Sequence, residues 1–314
     1  MKNIAIIGVG ALGRRHLQSM VELQDDYDIY AVEINKELFP KLNEEFPNVE
    51  FITTVDELPK ELEAVVIATN SNVRRLLFEQ LVINSTVKNI LFEKVLFQKE
   101  EDYYFVQDKL NELGIKAWVN CARREWGSYK LLEDELKNCK ELHISAIGGQ
   151  WGLGCNCIHI LDLIEYLSGN EIETIDMIGL ENKVIESKRK GFYEFFGTVR
   201  GTSGRCKNYS IICMDSSLPF YVEITTEKSK YMINEGNEYA LFCSDKSDWQ
   251  WGKREFKQIY QSQMTGRVLK SIIDEGTCNL PDYESSMKLH LKYILPLIEF
   301  FKSNGMEEDS CPIT

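Results

Sequence analysis

No apolar run in the sequence approaches the ~20 residues that a membrane-spanning helix needs. The opening stretch, MKNIAIIGVG, carries an apolar run too short and too interrupted by glycine for a signal peptide. A soluble, unexported, cytoplasmic protein with no membrane partner is expected. Basic clusters are missing too: 36 Lys+Arg stand against 49 Asp+Glu, a net charge of -13. Nothing tracks a phosphate backbone, and nucleic acid is not an expected partner. Proline is scarce, at 7 residues, while 44% hydrophobic and 27% charged residues describe an ordinary globular chain and exclude a disordered or collagen-like one. The nine cysteines show no CxxC and no His/Cys metal spacing, so reduced thiols and no metal site are expected. Cys155 and Cys157, two apart, have the wrong spacing for a zinc knuckle and an inconvenient one for a disulfide.

What is present is a change of pattern along the chain. At 314 residues the sequence exceeds the roughly 250–300 at which single cores stop growing, and two domains are expected, 1–121 and 122–314. In the first, the apolar runs IAIIGV, IYAVEI, VEFI, AVVIAT, NILFEK and IKAWVN alternate with amphipathic stretches at 11–23, 36–45, 72–82 and 99–113. That alternation predicts βαβ units and a parallel sheet buried on both faces, a doubly wound α/β domain. After residue 121 come a helix around 126–137, the strand LHISAIG, and a helix around 156–167 closed by Ser168-Gly169 as a C-cap. Strand-like segments then follow one another at 172–180, 192–200, 209–214, 220–226, 230–234, 239–242 and 255–260. Strands joined by turn-rich linkers predict an antiparallel or mixed sheet and an α+β domain. Helices at 262–275 and 282–302 end the chain, the last packing back on the body.

The strand IAIIGV runs into Gly8-Val9-Gly10-Ala11-Leu12-Gly13, which opens a helix, and Glu33 stands twenty positions after Gly13 at the end of the next strand. This is the GxGxxG fingerprint in the context that dinucleotide binding requires. Gly8 makes the tight turn, Gly10 lets the backbone approach a pyrophosphate, and Gly13 permits close helix–strand packing. The amides from Ala11 and Leu12 to Gly13, at the positive end of the helix, face the diphosphate. A carboxylate at Glu33 accepts from the adenosine ribose hydroxyls and repels a 2′-phosphate, so NAD(H) is favoured over NADP(H), with nearby Lys36 tempering that preference. Arg14, with Arg15 and His16, either reaches the cofactor or a substrate phosphate or forms a solvated helix face. Thr69 and Asn70 follow the fourth strand at the carboxyl edge, where they suit cofactor contact or an asparagine cap for the next helix. Glu93-Lys94 end the fifth strand. A lysine there can hold a substrate hydroxyl or carbonyl near a nicotinamide and ease loss of its proton, or it is a solvated charge. Arg123-Arg124, after the sixth strand, can clamp an anionic substrate or form a domain-interface salt bridge.

Taken in order, IAIIGVGALGRRH with Glu33, FEK at 92–94, Arg123-Arg124, CIHILDLIEYLSG at 157–169 and the closing NLPDYESSMKLHLKYILPLIEFF resemble the Gfo/Idh/MocA oxidoreductase family over nearly the whole chain. The resemblance implies a Rossmann domain followed by a domain with a large open, mostly antiparallel sheet, and homo-oligomers formed through that sheet. It also implies oxidation or reduction of a carbinol in a sugar, an inositol or a nucleotide sugar, using NAD(P). By the same resemblance Lys94 binds the reacting hydroxyl and Glu93 lies at the cofactor. Val95 stands where that family has a proline, which puts the cis turn often found there in question. The family's D-x-G-x-H-x-x-D pattern falls on His159 and Asp162, but Cys155 occupies its first aspartate position, with Asn156 beside it. Asn156 can orient substrate but takes no proton at neutral pH. His159 is the acid/base candidate, since an imidazole ordinarily titrates at about 6.5, and Asp162 positions a substrate or backbone group. The replaced aspartate leaves two further readings open: a cofactor-binding sensor or assembly protein without turnover, and an enzyme with an internal redox cycle such as elimination or epimerisation.

Overall fold

The computed structural model describes residues 1–306 and 309–314. The chain forms two compact units, Met1–Asn120 with Ile259–Met287, and Cys121–Gln258 with Lys288–Thr314.

The first unit is built on six parallel strands: β1 (Lys2–Ile7), β2 (Tyr27–Val32), β3 (Val49–Ile52), β4 (Glu61–Ile67), β5 (Thr86–Phe92) and β6 (Lys116–Val119). They lie in the order β3-β2-β1-β4-β5-β6. The winding reverses beside β1, which in an open α/β sheet is where a crevice forms at the carboxyl ends of the strands. Helices α1 (Ala11–Met20), α2 (Phe39–Glu45), α3 (Ser71–Asn84) and α4 (Glu100–Leu113) connect the strands. The unalternated runs Ile4–Ile7 and Ala64–Ile67 are buried throughout, as strands covered on both faces must be. In α1 the buried positions Gly13, His16, Leu17 and Met20 fall at i, i+3, i+4 and i+7, one face of a helix.

The second unit begins with α5 (Gly127–Leu136), β7 (Leu142–Gly149) and α6 (Leu153–Ser168). It continues through β8 (Thr174–Glu186), β9 (Tyr193–Ser203), β10 (Cys206–Met214), β11 (Tyr221–Thr226), β12 (Ser229–Asn234), β13 (Tyr239–Ser244) and β14 (Gly252–Glu255). The eight strands lie in the order β14-β13-β12-β11-β7-β10-β9-β8, antiparallel except for the β7 and β10 pair. In β7, Leu142, Ile144 and Ala146 are buried while His143, Ser145 and Ile147 are more open, the period-2 pattern of a sheet with one covered face. α6 packs on β7, β9 and β10. It ends at Gly169 in the left-handed conformation (φ 66°), as the Ser-Gly pair predicts. Arg205 then satisfies its last carbonyls, donating to Ser168 O and Leu167 O at 2.7 Å each.

Two expectations change. The strand expected at 255–260 is β14, three residues earlier in its start and ending at Glu255. The reason is the partner: β13 begins at Tyr239, directly opposite Glu255. One last bond follows, from Phe256 N to Glu238 O at 2.9 Å, and the chain then turns into α7 (Gln261–Glu275). The segment 259–287, which the sequence groups with the second domain, belongs to the first unit. α7 packs on α1, with Gly266 N donating to Ser19 Oγ at 2.9 Å, and a Cβ on Gly266 would lie 2.4 Å from Ser19 O. Only glycine allows that approach. The chain returns to the second unit within α8 (Tyr283–Ser303). There Tyr293 is buried, and its hydroxyl donates to Leu153 O and Gly154 O at 3.0 Å. Among the described residues no helix is long and apolar enough to cross a membrane, no group of His, Cys, Asp and Glu could hold a metal ion, and no cysteine is in a disulfide.

Candidate active site

The three fingerprint glycines do different things. Gly8 sits at φ 94°, and a Cβ there would lie 2.8 Å from Thr69 Cγ2, so the turn needs glycine for its conformation. A Cβ on Gly13 would lie 1.9 Å from Gly8 O, so helix and turn meet backbone to backbone. Gly10 has φ -65° and ψ -170°, which any residue adopts, and nothing within 4 Å of where its Cβ would be. The protein itself does not require glycine at this position, whereas close approach by a ligand does. Gly10 is also the N-cap of α1, with no side-chain cap and no acidic residue in the first turn. The positive helix end at Ala11, which is exposed, and at half-buried Leu12 therefore remains open. Glu33 lies against this turn, accepting from Val9 N at 3.3 Å and Asn35 N at 2.9 Å. Arg14 pairs with Glu45 of α2, the helix-face alternative of its two readings. Asn70 takes the N-cap position of α3 without a side-chain capping bond. Thr69 Oγ1 is enclosed without a hydrogen-bond partner among the described residues.

Glu93, expected at the cofactor, is enclosed by groups of its own unit. It is 3% exposed. Its Oε1 meets His16 Nε2 at 2.9 Å and accepts from Asn120 Nδ2, and its Oε2 accepts from Lys94 N at 3.2 Å. Burial alone would push this carboxyl up, but His16, the Lys94 charge and Asn120 together bring it below its ordinary value. His16 is no part of a solvated face: it is fully buried, with Nδ1 2.9 Å from Thr265 Oγ1. Lys94 itself is half-buried, and its peptide bond to Val95 is cis although no proline is present. Arg74 of α3, also buried, donates to the carbonyls of Thr69, Val95 and Leu96, the last at 2.7 Å, tying the two strand-end loops together.

In the second unit α6 is nearly apolar all round. Between Leu153 and Ile164 only Cys155, Asn156 and His159 are not fully buried. Their spacing places them on one face, an open stripe. α6 starts three residues earlier than its sequence pattern predicts, so Cys155 and Asn156 lie in its first turn. Asn156 Nδ2 donates to Trp151 O at 2.7 Å. Glu194 of β9 closes this helix end, accepting from Gly154 N at 2.6 Å and Cys155 N at 3.2 Å.

Arg123, Arg124 and Asp162, expected to bind substrate, are paired with protein groups. Arg124 grips Asp162, which is 1% exposed, through Nε at 2.9 Å and Nη2 at 2.8 Å. Arg123 grips buried Glu235 through Nε and Nη2, both at 2.7 Å, and Tyr129 donates to the same carboxylate at 2.6 Å. Both pairs lie within the second unit, so neither is a domain-interface bridge. Glu235 and Tyr129 carried no sequence signal, being separated from Arg123 by 112 and 6 residues without a shared motif. Burial of the His16 position, by contrast, is visible in the i, i+3, i+4 spacing with Gly13 and Leu17.

The first unit thus offers an open helix start with an acidic side chain beside it and an anchored lysine. The second offers an imidazole and an amide on an otherwise apolar helix. Residues 2–121 match the Gfo/Idh/MocA family, described as an oxidoreductase family with NAD-binding Rossmann fold. No curated protein matches by sequence. Among solved structures, UDP-N-acetylglucosamine 3-dehydrogenase GnnA of Acidithiobacillus ferrooxidans is similar at 15% identity and TM-score 0.72, covering 94% of this chain and 96% of its own. The dehydrogenase MviM of Clostridium difficile is similar at 13% identity and TM-score 0.73, covering 95% and 99%. The transcriptional regulator Gal80p of Kluyveromyces lactis reaches TM-score 0.74 at 13% identity, covering 96% and 89%. Identities this low carry the fold alone. The chain thus matches the model of that NAD-binding Rossmann family over residues 2–121, and over its whole length it shares the fold of these solved structures.

Proposed function

We propose that the chain is an NAD-dependent oxidoreductase moving a hydride between the cofactor and a carbinol or ketone carbon of a sugar or nucleotide sugar. The observation that carries the cofactor half is Gly10, a glycine with ordinary dihedrals and empty space around its Cβ position, at an uncapped helix start. Glu33, held against that turn, would repel a 2′-phosphate, which favours NAD over NADP. When bound, the nicotinamide supplies the two-electron acceptor or donor.

The chain's own groups handle the oxygen and its proton. Lys94 is assigned to the reacting oxygen, donating a charge-assisted hydrogen bond that eases loss of the O–H proton as the carbon gives up hydride. His159 is assigned to accept that proton on an imidazole nitrogen, and to return it when the ketone is reduced. Asn156, on the same open stripe, orients a substrate hydroxyl through its amide oxygen, its Nδ2 being engaged with Trp151. Arg123, Arg124 and Asp162 enter as the charged frame of the second unit, and Arg14 and Glu93 as support for the turn and for Lys94, rather than as direct ligands. A cytoplasmic homo-oligomer formed through the eight-stranded sheet completes the proposal, and sedimentation of the purified protein checks its assembly state.

The test is a panel of sugars and nucleotide sugars with NAD, followed by nicotinamide absorbance and by product analysis. Lys94→Ala is expected to lower kcat about 100- to 10,000-fold with NADH affinity unchanged. Retained turnover removes Lys94 from the chemistry. A second reading, an NAD-binding sensor without turnover, is favoured by Cys155 at the aspartate position and by the fold shared with a regulator. It predicts NADH binding with every sugar left unchanged. Converted product without net NADH would instead show an internal redox cycle.

A further inference from the structure

We propose that His16 is a positioning residue for Lys94, acting through Glu93; the inference rests on the assignment of Lys94 to the reacting oxygen. Five side chains of the first unit close a ring of hydrogen bonds. Glu93 Oε1 meets His16 Nε2 at 2.9 Å, and His16 Nδ1 meets Thr265 Oγ1 at 2.9 Å. Gln261 Nε2 donates to Thr265 Oγ1 at 2.7 Å, Asn120 Nδ2 donates to Gln261 Oε1 at 2.8 Å, and the same Asn120 amide returns to Glu93 Oε1. The members come from α1, from the ends of β5 and β6, and from α7, so the ring joins elements that are distant in sequence.

The ring determines which nitrogen carries the proton. An ionised Glu93 only accepts, so His16 Nε2 carries a proton and donates to it, while Nδ1 faces the Thr265 hydroxyl. Gln261 Nε2 donates to the Thr265 hydroxyl oxygen in turn. The one carboxylate oxygen outside the ring, Oε2, accepts from Lys94 N at 3.2 Å. A buried carboxylate fixed at one oxygen by His16 and Asn120 has little freedom at the other, so the Lys94 main chain is anchored to a rigid point. On its other side the chain is held by Arg74, which donates to the carbonyls of Val95 and Leu96. A lysine serving only as a solvated charge would need none of this. A lysine whose ammonium must meet one oxygen of a bound substrate needs its backbone placed to a fraction of an ångström.

The experiment is hydrogen exchange of the full chain, read by mass spectrometry on segments 93–97, 11–20 and 261–275, in the wild type, His16→Leu and His16→Gln. In His16→Leu exchange at 93–97 is expected to rise about tenfold while 11–20 and 261–275 stay near wild type. His16→Gln, whose amide can donate to Glu93, is expected to restore protection. Unchanged exchange at 93–97 in His16→Leu, or an equal rise in all three segments, would overturn the inference, the latter because it marks packing alone. Should His16→Leu fail to fold, Thr265→Val cuts the ring at the far side of the imidazole and is read the same way. On a substrate that turns over, His16→Leu is expected to lower kcat with KM for NAD unchanged. Exchange needs no substrate, so a null result there strikes this inference alone. Full turnover by Lys94→Ala strikes the assignment of Lys94 on which it rests.

Discussion

The two units treat the start of their central helix in opposite ways. α6 begins with Glu194 accepting from the amides of Gly154 and Cys155, so its positive end is already met by a carboxylate of its own unit. α1 begins at Gly10 with no side-chain cap and no acid in its first turn. The same contrast runs through the charged groups. The second unit pairs Arg123 with Glu235 and Arg124 with Asp162, and between residues 153 and 164 only Cys155, Asn156 and His159 are not fully buried. An uncapped start alone does not mark α1, since α3, α5 and α7 also lack a side-chain cap and a first-turn acid. α1 differs from them in having as its N-cap a glycine with ordinary dihedrals and empty space at its Cβ position. Where one end is filled and the other left bare, with a glycine that the backbone does not need, the bare end is the one suited to an anionic ligand.

The largest expected effect separates the two kinds of glycine. Gly13→Ala places a methyl against Gly8 O and is expected to cost about 2–3 kcal/mol in stability. Gly10→Ala, with nothing within 4 Å, is expected to stay within about 0.5 kcal/mol, yet to weaken NADH binding. Urea unfolding and an NADH titration on both variants check the pair. Equal losses of stability would remove Gly10 as a ligand marker. Glu194→Ala exposes the α6 start and is expected to cost about 1–2 kcal/mol with NADH affinity untouched, measured by thermal melting and the same titration. An effect on NADH would make the contrast between the helix starts false.

The smallest effect is pH-dependent. Glu165 of α6 is pushed up to about 7 by burial, despite accepting from Ile172 N. Its folded value exceeds the ordinary 4.5, so the folded state holds the proton more tightly. Its contribution to stability is therefore full at low pH, falls as pH rises through about 7, and stays low above that. Glu165→Gln is expected to melt like the wild type near pH 5 and to gain about 1 kcal/mol near pH 8, discounted for partial exposure. An equal gain at both pH values would show that the carboxyl is ionised throughout.

Much of the first unit was legible because its signals are local. Alternating apolar and amphipathic runs gave six strands and their helices in order, and GxGxxG with Glu33 named the turn where the structure places them together. His16 was misread because it sits in the charged run Arg14-Arg15-His16, where residue type suggested solvent while the i+3 spacing from Gly13 pointed inward. In the second unit the strands were visible but their pairing was not. The end of β14 depends on where β13 begins, and the hold of Glu235 on Arg123 spans 112 residues. Neither fact leaves a local pattern. The partners of Glu93, drawn from positions 16 and 120, were hidden for the same reason.

In the proposed cofactor site a nicotinamide dinucleotide is held at the bare start of α1 with Glu33 beside it. Its most direct test is a titration of nucleotide-stripped protein with NADH and NADPH, following tryptophan quenching, in the wild type and Glu33→Ala. NADH is expected to bind about tenfold or more tighter than NADPH, with the gap closing in Glu33→Ala. Binding of neither nucleotide would contradict the account and leave the turn's glycines serving the fold or another ligand.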